Sequence, residues 1–212
     1  MKILFGGTFD PLHNGHLDLA LQVSQQFQHP VSLMPLSGVP NYKAPPIATI
    51  KQRLQMLEIV QQEYPAQLAI EYNEAKLTEY SPTVFTLRRL RKIYGNDEPM
   101  YFIIGGDSLV SLDKYWDEWQ NLFGLTNFIV AMRPDYDLSL MSEQLSQQVT
   151  PRITKQCNSM LPSGEIIMID FAPHPVSSTI IRNELKQNNN VDKFIPQSIN
   201  NYIIKNQLYK GK

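Results

Sequence analysis

Short apolar runs alternate with longer stretches whose apolar residues recur at helical spacing, and the alternation continues along most of the chain. Lys2–Phe5 is an apolar run ending in Gly6-Gly7 and predicts a buried strand. In His16–Phe27, Leu17, Leu19, Leu21, Val23 and Phe27 fall mostly at helical spacing. Val31–Leu36 predicts a second strand. Ser37–Pro46 (SGVPNYKAPP) predicts a loop, because each proline biases its predecessor away from helix. Thr49 is placed to cap a helix running to Tyr64, with Leu54, Leu57 and Val60 on one face. After a brief strand at Leu68–Tyr72, Ser81-Pro82 predicts the start of a helix, with proline where a free N–H is not needed. That helix ends at Gly95 behind Arg88, Arg89, Arg91 and Lys92, cations that suit its dipole. Tyr101–Ile104 predicts a strand that also ends in two glycines, Gly105-Gly106. A helix through Trp116 to Phe123, a strand at Asn127–Met132, a polar helical stretch from Ser139 and a strand at Ile166–Phe171 follow. Ser177–Lys186 and Pro196–Leu208 predict closing helices.

Apolar strands separated by amphipathic helices predict an α/β fold, a Rossmann-like open sheet that is mostly parallel with helices on both faces. The expected organisation is a single domain, an α/β core over residues 1–175 and a small C-terminal helical extension over 176–212. In such sheets ligands sit beyond the carboxyl ends of the strands at the switch point, and both glycine pairs fall at strand carboxyl ends.

The chemistry concentrates at the first of these junctions. His13 and His16, separated by Asn14-Gly15, follow the strand and its glycine turn directly. A helix start offers free N–H groups to an anion. Gly6 and Gly7 would let the backbone approach a phosphate, and imidazoles beside it can donate to phosphoryl oxygens. A zinc site is the rival chemistry, but His29, His174 and Cys157 are isolated in sequence and give no ligand spacing. A glycine–lysine–Ser/Thr phosphate loop is absent, and GGTFDP lacks the dinucleotide fingerprint of a stored NAD.

Composition narrows the partners. A net charge of −1 predicts neither a nucleic-acid surface nor a membrane patch. Cys157, the single cysteine of the 212 residues, excludes an intrachain disulfide and fits a reducing compartment. With no signal-like start and no apolar run near the ~20 residues of a membrane span, the expectation is a soluble cytoplasmic protein.

GGTFDPLHNGH resembles the phosphate-binding signature of the HxGH nucleotidyltransferases, and VSSTIIR (Val176–Arg182) resembles their second signature, which opens a late helix. VPNYK (Val39–Lys43), YSPTVFTL (Tyr80–Leu87), IIGGDSL (Ile103–Leu109) and the C-terminal IPQSINNYIIKNQLY extend the resemblance over almost the whole chain, to the bacterial nicotinate-nucleotide adenylyltransferases. The resemblance implies adenylyl transfer from ATP to nicotinate mononucleotide, giving nicotinate adenine dinucleotide and pyrophosphate, with Mg²⁺ carried on the triphosphate. It implies His13, His16 and Arg182 as catalytic residues, His16 at the α-phosphate and His13 on the triphosphate. It assigns Gly6, Gly7, Thr8, Phe9, Gly15, Asp107, Ser177, Ser178 and Thr179 to ATP, and Lys43, Thr83, Gly105 and Trp116 to the acceptor side. Thr83 would offer its N–H to the pyridine carboxylate and Trp116 its ring for stacking, a part that Tyr115 or Trp119 could share or take.

The sequence departs from the family pattern at Tyr42, where a histidine is usual, and at Pro82 and Phe85, where tyrosine and aspartate are usual. These departures bear on the pyridine side. Three rival functions stay open: preference for the nicotinamide mononucleotide, another acceptor of the phosphopantetheine or cytidylyl type, and a nucleotide sensor that keeps the fold without turnover. Turnover on the two mononucleotides separates the first, pyrophosphate release the last. The Tyr80–Leu87 and Ile103–Leu109 segments argue against the second, and intact His13, His16 and Arg182 against the third.

Overall fold

The computed structural model describes residues 1–39, 44–132, 137–154, 160–172 and 174–210. Seven strands form one sheet: β1 (Lys2–Gly7), β2 (Val31–Pro35), β3 (Leu68–Ile70), β4 (Met100–Gly105), β5 (Asn127–Met132), β6 (Ile153–Thr154) and β7 (Ile166–Asp170). Their spatial order is β3-β2-β1-β4-β5-β7-β6, and every neighbouring pair is parallel. The sheet is thus wholly parallel among the described residues, stricter than the mostly parallel sheet expected.

The strand order reverses between β1 and β4, and the pairing itself opens there. The β1–β4 ladder joins Lys2 to Met100, Ile3 to Tyr101 and Leu4 to Phe102. Beyond that point β1 stays paired with β2 as far as Gly7–Pro35, and β4 with β5 as far as Gly105–Ala131. The two central strands therefore part company over their last residues, and a crevice opens between their carboxyl ends.

Strand side chains alternate between two cores, as the period of two requires. Ile3, Phe5, Tyr101, Ile103 and Ile129 pack with α1 (Asn14–Phe27) and α2 (Ile50–Glu63), and with α8 (Ser178–Lys186) and α9 (Gln197–Lys205) from the end of the chain. Leu4, Phe102, Ile104, Phe128 and Val130 pack with α3 (Thr83–Tyr94), with the short helices α4 (Gly106–Val110), α5 (Leu112–Tyr115) and α6 (Trp119–Leu122), and with α7 (Glu143–Val149). Helices thus cover both faces, and each fully buried Leu, Ile or Phe contributes about 1.5–3 kcal/mol. Among the described residues no helix is long and apolar enough to cross a membrane.

Helix starts follow the cap chemistry. Thr49 and Gln52 form a reciprocal capping box, Thr49 Oγ1 accepting from Gln52 N and Gln52 Oε1 from Thr49 N. Pro82 is the N-cap of α3, which ends at Gly95 with φ 91°. Arg91 is not a solvent-facing cation at that end. It is buried and donates to the carbonyls of Gly95, Glu98, Leu125 and Pro162, tying α3 to the start of β5. The single helix expected through Trp116 to Phe123 is three short ones, broken at Ser111 and again at Glu118, whose φ is 48°.

Candidate active site

A cleft of about 460 Å³ lies at the carboxyl ends of β1 and β4. One wall is the β1–α1 turn, with Gly6, Gly7, Thr8, His13, Gly15 and His16. The other is built from Thr83 at the start of α3, from Gly105 and Asp107 after β4, and from Tyr115 and Trp116. Ser177 closes the rim from the far end of the chain.

The histidines are fixed by the helix they begin. His13 is the N-cap of α1, and its Nδ1 accepts from His16 N at 3.3 Å. His16 Nδ1 returns the bond, accepting from His13 N at 3.4 Å, and the rings stack with centroids 3.7 Å apart. Each Nδ1 is thereby an acceptor, which leaves the proton of each neutral ring on Nε2. Burial, and secondarily the nearby His174, lowers His13 to about 4. Burial, followed by His13, holds His16 well below 6.5. Near pH 7 both rings are therefore uncharged, held in fixed orientation and among the residues that line the cleft. The first turn of α1 is less open than its sequence implied: Asn14 N donates to Phe194 O and His16 N to His13, so Gly15 carries the remaining donor.

The glycines serve ring packing. A Cβ on Gly6 would stand 2.8 Å from the Phe102 ring, and one on Gly7 2.8 Å from the Phe9 ring. Neither has a positive φ, so close approach, not backbone freedom, requires glycine here. Phe9 is only 1% exposed and does not line the cleft; its ring meets that of His16 edge-on at 5.2 Å and supports it from beneath.

The late segment arrives at the same corner. Ser177 caps α8 through a bond from Ile180 N, Ser178 Oγ donates to Pro11 O at 2.9 Å, and Arg182 Nη1 donates to Asp10 O at 2.7 Å. Arg182 Nη2 also donates to Thr179 Oγ1 at 3.1 Å. Ser178 and Arg182 are thus bonded to the turn and Thr179 to Arg182, but none of the three is among the residues that line the cleft, whereas Ser177 is.

Opposite, α3 starts without a side-chain cap, and Thr83 lines the cleft. Beneath this start, Arg89 donates to Ser81 Oγ and pairs with Glu74, which burial raises to about 7 against the opposing effect of Arg89. Asp107 lies in the first turn of α4, whose N-cap is Gly105. Trp116 packs edge-on to Phe102 at 6.2 Å and lines the cleft, and Tyr115 lines it while 59% exposed. Trp119, 7% exposed, belongs to the core against Phe123 and is not a cleft residue. Lys43 lies outside the described residues.

Four residues were not picked out by sequence. His174 lines the cleft and is paired with Asp18 of α1 at 2.5 Å, although it stands alone in sequence. Arg53, 1% exposed, donates to Thr8 O and Leu36 O and holds the turn from below. Asp10 and Tyr209 meet beneath it. Asp10 stands inside GGTFDP and was the one of these with a sequence signal.

The sheet is doubly wound and parallel with its cleft at the switch point, where such folds bind ligands, and the sequence profile of the cytidylyltransferase-like family matches residues 4–184. The chain belongs to that family. It is 38% identical, over all of its length and 97% of the relative's, to a probable nicotinate-nucleotide adenylyltransferase of Shewanella pealeana. It is 37% identical, over 98% of this chain and 94% of the relative, to one of Yersinia pestis. At that identity and coverage the chain is a member of the nicotinate-nucleotide adenylyltransferase family. The Plasmodium falciparum nicotinic acid mononucleotide adenylyltransferase solved with NaAD has the same fold, with a TM-score of 0.74 at 20% identity over 99% of this chain and 98% of that one.

Proposed function

We propose that this chain transfers the adenylyl group of MgATP to nicotinate mononucleotide, forming nicotinate adenine dinucleotide and releasing pyrophosphate. The observation that carries the reading is that the α8 segment is bonded to the β1–α1 turn at the edge of the cleft, which Ser177 lines: Ser178 bonds to Pro11 across 167 residues of chain and Arg182 to Asp10 across 172.

The acceptor's 5′-phosphate is already largely ionised near neutral pH, with a second pKa of about 6. Its oxygen attacks the α-phosphorus of ATP, an O–P bond forms, and the bond to the β-phosphate oxygen breaks with pyrophosphate leaving. No proton has to be removed from the nucleophile, so no general base is required. Uncharged histidines suit this division of labour. His16 Nε2–H donates to the α-phosphate and His13 Nε2–H to the triphosphate, stabilising charge as it develops without first being neutralised by it. Gly6, Gly7, Thr8 and Gly15 shape the floor, and Phe9 backs His16. Ser177, Ser178, Thr179 and Arg182 take the β- and γ-phosphates at the α8 start.

Asp107 accepts from the nucleoside of ATP, beside Gly105. Thr83 offers its N–H to the pyridine carboxylate at the uncapped α3 start, and Trp116 with Tyr115 covers the ring. Lys43 adds a cation from its loop. Magnesium enters as part of MgATP: among the described residues no group of three His, Cys, Asp or Glu is placed to hold a metal ion, and oxygens of the triphosphate suit it. The whole chain works as one domain, its α/β core through residue 175 completed by the helices beyond, in the cytoplasm.

The test is pyrophosphate release from MgATP with nicotinate or nicotinamide mononucleotide. The reading expects release with the nicotinate form and weaker turnover with the amide, since an uncapped helix start favours a carboxylate. Equal or better use of the amide, or no release with either, contradicts it.

A further inference from the structure

Asp10 is 2% exposed, and both of its carboxylate oxygens are engaged. Oδ1 accepts from Tyr209 OH at 2.7 Å and from Ala48 N at 3.0 Å. Oδ2 accepts from Ile47 N at 2.8 Å and lies 3.8 Å from Arg182 Nη1, the same nitrogen that donates to the Asp10 carbonyl. Three regions far apart in sequence therefore close on one side chain: the segment ahead of α2, the α8 arginine and the tail.

The tail turns towards it after α9, where Gln207 at φ 53° is the left-handed residue of an ordinary helix end, Leu208 N donating to Ile203 O. Tyr209 itself has φ of 61°, and Phe9, next to Asp10, has 47°. Bulky residues hold such values where their surroundings over-determine them. Tyr209 is 4% exposed. Burial first, then the Asp10 charge, pushes its hydroxyl far above the usual phenol range, so it remains a donor. Packing alone would be served by phenylalanine here; the hydroxyl has Asp10 as its partner.

We propose that Tyr209 is a positioning residue for the polyphosphate side of the cleft, fixing Asp10, which in turn aims Arg182 and the α8 start. The chain Tyr209–Asp10–Arg182–Thr179 then runs from the penultimate described residue to the segment that receives the β- and γ-phosphates. The pyridine side, built from α3 and the Trp116 loop, lies outside it. This rests on the function proposed above.

The test uses the full chain with Tyr209→Phe, which keeps the ring and removes the hydroxyl. Binding of the non-transferable α,β-methylene analogue of ATP with Mg²⁺ is measured by calorimetry, beside KM for MgATP and for nicotinate mononucleotide. The proposal expects analogue affinity to fall and KM for MgATP to rise, each about tenfold, as suits loss of a bond to a charged group. KM for the acceptor stays within about twofold. Asp10→Asn should lose at least as much, and adding Tyr209→Phe to it should cost little more, because the two act through one path. Unchanged analogue affinity in Tyr209→Phe, an equal loss on the acceptor side, or additive losses in the double variant overturns the proposal. A wild-type chain that binds no analogue and releases no pyrophosphate overturns the functional reading, and this proposal with it.

Discussion

On the β1–α1 side of the cleft, groups are held from several directions at once. His13 and His16 cap each other, Arg53 grips Thr8, and Asp10 gathers Arg182, Ile47, Ala48 and Tyr209. Across the cleft, α3 begins without a side-chain cap and Tyr115 is 59% exposed. On the roles proposed above, the contrast matches what each side would do. Phosphoryl transfer gains from donors that do not reorganise as charge develops, whereas a planar ring tolerates a wall that settles around it. Of the positions at which the sequence reads as departing from the resembled pattern, Pro82 lines this second wall and Phe85 lies outside the cleft lining.

The largest effect should come from breaking the rigid side. His16→Ala is expected to lower kcat by roughly 10²–10³-fold, the scale for losing one preorganised donor, with a cooperative thermal transition retained. Unchanged turnover would remove His16 from its role.

Next in size is the pH dependence of stability, where the two walls have opposite sign. His13 and His16 titrate below their unfolded value of about 6.5, so the unfolded chain binds more protons and the folded chain loses stability as pH falls from 6.5 towards 4. His13 alone accounts for about 1–3 kcal/mol of that loss. Glu74, raised to about 7 under the α3 start, works the other way: it favours the folded state below its unfolded value near 4.5, and that contribution fades as pH rises to 7. Chemical denaturation across pH 4–8 should show the acid limb flattened by His13→Gln and the opposing slope removed by Glu74→Gln. Identical profiles for both variants and wild type would contradict these environments.

The smallest effects belong to the ring wall. Trp116→Ala should raise KM for the acceptor about tenfold, near the upper value of an aromatic stacking contact, with kcat within a few-fold. Tyr115→Ala should do less, and should leave the melting temperature unmoved because the side chain is exposed. A normal acceptor KM with a lowered melting temperature in Trp116→Ala would make that ring a core residue packed on Phe102.

The strands, the sheet class and most helix starts were legible because their signals are local: apolar period, a Thr49 cap, a proline at a helix start. The break of the α4–α6 region was not, since Ser111 and Glu118 carry no glycine or proline and Glu118 takes a left-handed conformation only in its tertiary setting. β6 is two residues at the sheet edge, too short for a period. Within the site, His13, His16 and the Ser177–Arg182 segment were readable because they are contiguous motifs. Tyr209 and His174 were not: the first meets Asp10 across 199 residues and the second meets Asp18 across 156, and no local pattern encodes such a meeting. In sequence Gly6 and Gly7 read as room for a phosphate; the structure shows that Phe102 and Phe9 leave no space for a side chain there, a tertiary reason with no local sign in the sequence.

The most direct measurement is a structure with the Mg²⁺ complex of α,β-methylene ATP. The account predicts a single triphosphate with oxygens within hydrogen-bond distance of His16 Nε2 on one side and of the Ser178–Thr179 backbone on the other. A nucleotide seated elsewhere, or one that meets the histidines while the α8 start faces away from it, would contradict it.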